Sequence, residues 1–154
     1  MNLRDLPKVE LHRHLEGSVR YGTWREIAKA ASIQIVPRSR YVVGVREPRT
    51  LASFLSHFRF LFNLYPDRDS IERVAREAVE DARSDNVVYL ELRFSPVHFA
   101  RRMKADPVKV AGWIIGAAQR AAGRSLHLRF IITLGRDFDR ATNQPSLAAA
   151  LEHR

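Results

Sequence analysis

Apolar and polar residues alternate along three short segments of the chain, and a period of two predicts β-strands. The predicted strands cover residues 9–14, 87–94 and 127–134. In the first strand, the alternation places Val9 and Leu11 on one face and Glu10, His12 and His14 on the other. The residues at the end of this strand therefore include two histidines on one side.

Between the strands, apolar residues recur every three or four positions, as on the buried side of a helix. This spacing predicts helices over residues 23–31, 51–65, 70–84, 107–122 and 144–152, with a loop over residues 33–48. Thr23, Thr50 and Asp69 are the predicted N-caps of the first three helices. The repeated strand–helix order predicts an α/β protein with parallel strands, and both a doubly wound sheet and a β/α barrel fit it.

The composition narrows the class of protein. The 154 residues are 45% hydrophobic and 28% charged, which fits one globular domain over residues 1–154. The chain has no cysteine, so disulfides, thiolate zinc sites and iron–sulfur clusters are excluded. No apolar run reaches the roughly 18 to 20 residues of a membrane span, and no secretory signal precedes the first strand. We therefore expect a cytoplasmic protein without membrane contact.

The formal net charge of +9 raises the question of nucleic-acid binding. The arginines, however, are dispersed and often lie beside acids, as around Arg73, Arg76 and Glu77. Aromatic residues do not alternate with basic ones as they do in proteins that bind single strands. The pattern disfavours nucleic acid as a partner. No glycine-rich phosphate-binding motif follows a strand either, so the sequence indicates no dinucleotide or P-loop site.

The two histidines of the first strand are the strongest local candidate for chemistry. On a strand, residues two apart share a face and lie about 6.6 Å from each other, so His12 and His14 can occupy neighbouring positions around one metal ion. Ligands bind at the carboxyl ends of parallel strands, and imidazole is a preferred zinc ligand. Two histidines can also stand near a strand end by chance. Among the other histidines, only His98 follows the favourable end of a strand.

Three separated segments carry longer motifs. Residues 6–18 read Leu-Pro-Lys-Val-Glu-Leu-His-Arg-His-Leu-Glu-Gly-Ser, residues 88–96 read Val-Tyr-Leu-Glu-Leu-Arg-Phe-Ser-Pro, and residues 51–58 have apolar side chains at helical spacing. In their order along the chain (6–18, 51–58, 88–96), they resemble the opening of the adenosine deaminase family of the amidohydrolase superfamily. The resemblance spans nearly the whole chain. It implies a TIM-type (β/α)8 barrel, of which this chain supplies about the first three β/α units.

The resemblance also implies a reaction and roles for individual residues. The reaction is the zinc-dependent hydrolytic deamination of adenosine, a purine nucleoside, to inosine and ammonia, with one zinc ion in the complete enzyme. His12 and His14 match the first two zinc ligands, and Glu16 stands where many members have an aspartate that binds the ribose of the substrate. The helix that covers the substrate pocket is matched by Leu51, Phe54, Leu55 and Phe58, although plain core packing predicts the same spacing.

The family's other zinc ligands and its acid–base residues have no counterpart in the chain, which contains neither His-x-Gly-Glu nor Asp-Asp. The zinc ligand set is thus incomplete, and no catalytic residue is predicted within residues 1–154. We expect the N-terminal portion of a deaminase that is inactive alone. We also expect the unclosed sheet to require the missing C-terminal half or to self-associate, because apolar strand residues would be short of partners, among them Leu90, Leu92, Ile131 and Ile132.

Two other functions stay open from the sequence. The chain can belong to a deaminase of adenine or of a modified adenosine, because the pocket wall that would discriminate these substrates lies largely outside it. Alternatively, it is a non-catalytic remnant that binds a partner through the open edge of its sheet.

Overall fold

The computed structural model describes residues 2–41, 50–56, 58, 61 and 64–154. Three parallel strands form one sheet in the order β1 (Lys8–His14), β2 (Val87–Phe94) and β3 (His127–Ile132). The helices are α1 (Tyr21–Ala30), α2 (Arg38–Tyr41), α3 (Leu51–Ser56), α4 (Arg68–Ser84), α5 (Pro96–Met103), α6 (Pro107–Ala122) and α7 (Arg140–Glu152). The predicted α/β architecture with parallel strands is confirmed. In the described part of the chain, no helix combines the length and apolar character needed to cross a membrane.

Local signals place several elements where the sequence predicts them. Strand β2 and helix α6 have the predicted bounds, and the Asp106 carboxylate caps α6 by accepting a hydrogen bond from the Val108 amide at 3.0 Å. Helix α6 ends at Gly123, whose φ of 56° lies in the left-handed region. Strand β3 ends two residues early, and α7 begins at Arg140 because Asp139 caps it. Helix α5, which directly follows β2, was not predicted.

Two of the three predicted N-caps are wrong. Helix α1 begins before Thr23, whose hydroxyl instead bonds the Glu77 carboxylate on α4. Helix α4 is capped by Asp67, which accepts a hydrogen bond from the Ser70 amide at 2.8 Å, and Asp69 lies in the first turn. Thr23 is thus taken by a distant partner, whereas at α4 a local capping box formed by Asp67 and Ser70 begins the helix two residues before the predicted cap.

The predicted helix over residues 51–65 is shorter in the structure. Thr50 does cap it, accepting from the Ser53 amide at 3.1 Å, but α3 ends at Ser56, and residues 64–65 are not helical. Residues 57, 59, 60, 62 and 63 of this prediction lie outside the described residues, as do residues 42–49 of the predicted loop. The described part of that loop contains the short helix α2.

The two faces of the sheet differ in character. Leu90, Leu92 and Phe94 are fully buried on the face that α4 and α6 cover. The opposite face, which corresponds to the interior of a closed barrel, carries Tyr89 and Glu91, joined by a 3.0 Å hydrogen bond, and Arg93 further along β2. The expectation that Leu90 and Leu92 lack partners is therefore wrong, because these residues face the helices. The open face at β2 is polar.

A β-bulge interrupts β1. Glu10 pairs with Leu90 and Arg13 with Leu92, so β1 advances three residues where β2 advances two. Glu10 and Arg13 thus lie on the helix-covered side, and the Arg13 guanidinium donates to the Ala78 carbonyl oxygen on α4 at 2.9 Å. The predicted alternation is wrong in this respect. Val9 and Leu11, 61% and 58% exposed, lie on the open face together with the histidines rather than opposite them.

A buried carboxylate connects α1 with α4. Glu77 is 4% exposed, accepts a hydrogen bond from the Thr23 hydroxyl at 2.5 Å and another from Arg73 Nε at 2.8 Å. Arg73 also reaches Glu26 on α1 at 2.7 Å. Burial favours the neutral acid, but the bonds from Thr23 and Arg73, together with the charges of Arg73 and Arg20, outweigh it and hold the pKa of Glu77 below its ordinary value of 4.5.

Candidate functional site

His12 and His14 lie together at the carboxyl end of β1, on the open face of the sheet. Their ring centres are 5.2 Å apart, and the ring planes are inclined by 49°. Their spacing of two residues puts them on one face of the strand, and the bulge places that face on the open side of the sheet, opposite Glu10. Both side chains are exposed, so a ligand can reach them from the open face.

The spacing of the two rings fits a shared metal ion. A zinc–nitrogen bond of about 2.0 Å, with the ring centre about 1.1 Å beyond the nitrogen, puts two tetrahedral histidine ligands roughly 5 Å apart, centre to centre. The observed 5.2 Å agrees with that arrangement. Within residues 2–41, 50–56, 58, 61 and 64–154, no group of three or more His, Cys, Asp or Glu side chains could hold a metal. The described residues therefore offer two ligands.

Arg93, at the end of β2, contacts the first of these histidines. Its Nη1 lies 2.7 Å from His12 Nε2 and 3.3 Å from His12 Nδ1. A guanidinium only donates hydrogen bonds, so the ring nitrogen facing it accepts. A metal ion that binds His12 Nε2 must displace this contact. Sequence reasoning missed Arg93 as a site residue, although it belongs to the motif of residues 88–96 and pairs in register with His14.

Glu16 lies in a short 3-10 turn, Leu15–Gly17, immediately after β1. It is only 6% exposed, and its Oε1 accepts a hydrogen bond from the Ser95 amide at 2.8 Å. The other carboxylate oxygen, Oε2, is buried without a hydrogen-bond partner in the described part of the chain and lies 3.7 Å from His14 Nδ1. The contact with Ser95 was not foreseen, because it joins the ends of two strands that are 79 residues apart in sequence.

Two of the four predicted lid residues line a groove of about 530 Å³ beside the histidines. Phe54 and Phe58 meet edge to face with ring centres 5.1 Å apart. A Cβ atom on Gly17 would lie 3.3 Å from the Phe58 ring, so glycine permits this close approach.

The other two lid residues, Leu51 and Leu55, are not among the residues that line the groove. Leu51, Phe54 and Leu55 are 73%, 47% and 50% exposed, so plain core packing does not account for these three residues.

His98 is half-buried near the start of α5, with its ring edge to face against Phe138 at 5.2 Å. Burial lowers the pKa of His98 below its ordinary 6.5, while the charges of Glu16 and Asp137 act in the opposite direction. It does not line the groove beside the metal candidates.

The chain is similar in sequence and in fold to known deaminases and amidohydrolases. Adenosine deaminase from Mycolicibacterium gilvum is 33% identical over 96% of the chain and 44% of its own length. A zinc-bound amidohydrolase from Burkholderia ambifaria superposes with a TM-score of 0.83 at 26% identity, over 99% of this chain and 42% of its own. An Arabidopsis N6-mAMP deaminase gives a TM-score of 0.77 at 26% identity, over 99% and 48%.

The chain thus spans less than half the length of these relatives, and its three strands correspond to part of their barrel. The family model described as adenosine deaminase matches residues 7–154, which is nearly the whole chain. This chain therefore belongs to the adenosine deaminase family.

Proposed function

We propose that the chain forms the first part of a zinc-dependent hydrolytic deaminase that converts adenosine to inosine and ammonia. The observation that carries this proposal is the pair of imidazoles at the carboxyl end of β1, with ring centres 5.2 Å apart, in a chain of the adenosine deaminase family. Zinc bound there would supply a water molecule whose pKa is lowered toward 7 for attack on the amino-bearing carbon.

In this proposal, the residues of this chain bind the metal and form one wall of the substrate pocket. His12 and His14 hold the metal at the open end of the strand, and the Phe54–Phe58 pair forms an apolar wall beside them, against which a purine ring can pack. Leu51 and Leu55, on the same helix as Phe54, extend this apolar wall. The groups that move protons to and from the purine come from the rest of the barrel, which also covers the open face of the sheet.

A second candidate substrate is an adenosine derivative that carries an N6-methyl group and a phosphate. It is favoured by the similarity of fold to the Arabidopsis N6-mAMP deaminase. Free adenine, the other substrate left open by the sequence, is a third candidate of the same chemical class. All three reactions replace an amine on the purine by oxygen, so the metal ligands proposed here are the same for each.

Metal binding tests the role of the histidines directly. We expect the metal-free 154-residue chain to bind one zinc ion, weakly because only two imidazoles hold it, in a titration against a competing chelator. His12→Ala and His14→Ala abolish this binding. His127→Ala is the matched control, because His127 is an exposed histidine at the opposite end of the sheet. Zinc binding that survives the His12→Ala/His14→Ala double variant contradicts the proposal.

Activity is tested by supplying the missing part of the barrel. The chain is combined with the complementary portion of the Mycolicibacterium gilvum relative, and product formation from adenosine, adenine and N6-methyl-AMP is followed by chromatography. We expect turnover of adenosine that depends on His12 and His14. Preferential turnover of N6-methyl-AMP would assign the second substrate, and turnover that is indifferent to both histidines would exclude their proposed role.

A further inference from the structure

We propose that Glu16 is a positioning residue for His14. It holds the His14 ring with Nδ1 protonated and directed at the carboxylate, which leaves Nε2 free for the metal. This inference rests on the proposed zinc site, but the contact on which it depends is a property of the metal-free chain. The observation is the buried Oε2 of Glu16, which has no hydrogen-bond partner among the described residues and lies 3.7 Å from His14 Nδ1.

The carboxylate of Glu16 is fixed in orientation. Its Oε1 accepts from the Ser95 amide at 2.8 Å, and the residue is 6% exposed, so the side chain cannot rotate without breaking that bond. The direction of Oε2 follows from the position of Oε1. A buried carboxylate oxygen without a donor is costly, because water no longer solvates it. The structure thus holds a strong, desolvated acceptor toward one ring nitrogen of His14.

The His14 ring can complete the contact. The distance of 3.7 Å between Glu16 Oε2 and His14 Nδ1 is longer than a hydrogen bond, so the two atoms lie within ion-pair distance without being hydrogen-bonded. The His14 side chain is 48% exposed, and a small rotation of the ring brings Nδ1–H to the fixed oxygen.

The chemical consequence concerns which ring nitrogen carries the proton. The tautomer of a neutral imidazole is set by the hydrogen bond that one nitrogen makes, and metal-binding histidines commonly donate their second N–H to a carboxylate. His12 has a different partner, the Arg93 guanidinium, which does not contact Glu16 in this arrangement. The two ligands are therefore oriented by opposite charges, and of these two histidines only His14 lies beside Glu16.

This role differs from the ribose contact that the resemblance implies for Glu16. A ribose hydroxyl would have to reach an oxygen that is covered in the structure. The two roles also respond differently to substitution. Loss of a ribose contact raises the KM for the nucleoside and leaves the metal-free histidines unchanged, whereas loss of a positioning contact changes His14 before any substrate is present.

The primary test reads the tautomer of His14 by long-range ¹H–¹⁵N NMR on the metal-free chain, labelled at histidine, at about pH 8, where imidazole is neutral. We expect His14 in the Nδ1–H form. In Glu16→Gln, the amide oxygen can keep the Ser95 bond while the amide NH2 faces His14 Nδ1, so His14 shifts to the Nε2–H form. His12 keeps its tautomer. Glu10→Gln is the matched control, because Glu10 is a carboxylate on the same strand that pairs with Arg13.

Zinc affinity is the second readout. Glu16→Gln should weaken zinc binding by about 10- to 100-fold, as second-partner substitutions at metal sites do, with no change in Glu10→Gln. An Nε2–H tautomer in the unsubstituted chain overturns the inference without any variant, and so does an unchanged His14 tautomer in Glu16→Gln. If zinc binds independently of both histidines, the proposed function fails, while the tautomer still decides whether Glu16 positions His14.

Discussion

Replacement of Glu77 by alanine gives a quantitative test of how α1 is held on α4. The substitution removes two hydrogen bonds to a charged acceptor, one from the Thr23 hydroxyl and one from Arg73 Nε. Hydrogen bonds to charged groups stabilise proteins by about 1.5 to 3 kcal/mol each. We use the lower value, roughly 1.5 kcal/mol for each bond, because Arg73 is 35% exposed and keeps its ion pair with Glu26. We expect Glu77→Ala to lower the free energy of unfolding by about 3 kcal/mol.

The matched control is Glu80→Ala on the same helix. Glu80 is 37% exposed, and its ion pair with Arg76 at 2.7 Å faces solvent. Exposed pairs of this kind contribute less than about 1 kcal/mol, because water and salt screen them. Urea unfolding, followed by the fluorescence of the fully buried Trp24 on α1 in dilute solution, measures both variants. A loss for Glu77→Ala no larger than that for Glu80→Ala would refute the reasoning.

The same carboxylate makes stability depend on pH. The pKa of Glu77 in the folded state lies below the ordinary 4.5, so its contribution is complete above that value and is lost as the pH falls through the lower folded value. Glu77→Gln removes the titrating group. The loss of stability on acidification below about pH 5 should therefore be shallower in the variant than in the unsubstituted chain. Parallel acid profiles would show that Glu77 is not the group responsible.

Three further predictions concern the chain as a whole. Purified residues 1–154 should release no ammonia from adenosine above background, because no acid–base residue of the family motif is present; zinc-dependent turnover would contradict this. In size-exclusion chromatography with light scattering, the chain should self-associate or aggregate unless the rest of the barrel is supplied, since Val9 and Leu11 are exposed on β1, an edge strand of the sheet. A monomer with one cooperative melt at about 45 to 65 °C would show instead that it is self-sufficient. His98 should titrate in NMR with a midpoint below 6.5, because burial disfavours its charged form; a midpoint at or above 6.5 would be inconsistent with the packing against Phe138.

Local sequence signals were enough for some elements of the fold. The apolar run of β2 and the Asp106–Pro107 start of α6 both act through neighbouring residues, so their bounds were predicted correctly. The predicted cap at Asp69 is wrong because Asp67, two residues earlier, forms the local capping box with Ser70, and the predicted cap at Thr23 is wrong for a non-local reason. Thr23 is engaged by Glu77, 54 residues away, and such a contact has no local signature. The prediction of which β1 side chains share a face is wrong because the bulge is a feature of the pairing with β2, which the sequence of β1 alone does not indicate.

In the candidate site, too, local spacing identifies some residues and only the fold identifies the others. The spacing of His12 and His14 is readable from the strand itself, but Arg93, which contacts His12, and Ser95, which donates to Glu16, come from the end of the neighbouring strand. Both residues belong to the motif of residues 88–96, but the motif itself does not indicate which side chains they contact. Lys8, in the first motif, is also explained only by the structure. Its ammonium donates to the carbonyl oxygens of Arg4, Leu6 and Asp85, and so anchors the start of β1.

The bulge in β1 divides one short strand into two halves that are out of phase. Lys8 and Glu10 are partly buried before it and Arg13 after it, with two consecutive exposed residues between them. A saturation-mutagenesis profile along β1 should therefore not alternate with a constant period of two. Removing Leu11 would leave β1 advancing two residues where β2 advances two, so Glu10 and Arg13 would keep their register with Leu90 and Leu92 and the strand would become regular. Removing one residue from the regular strand β2 would instead reverse every side chain beyond the deletion. Deletion of Leu11 should therefore be less damaging than a single-residue deletion within β2.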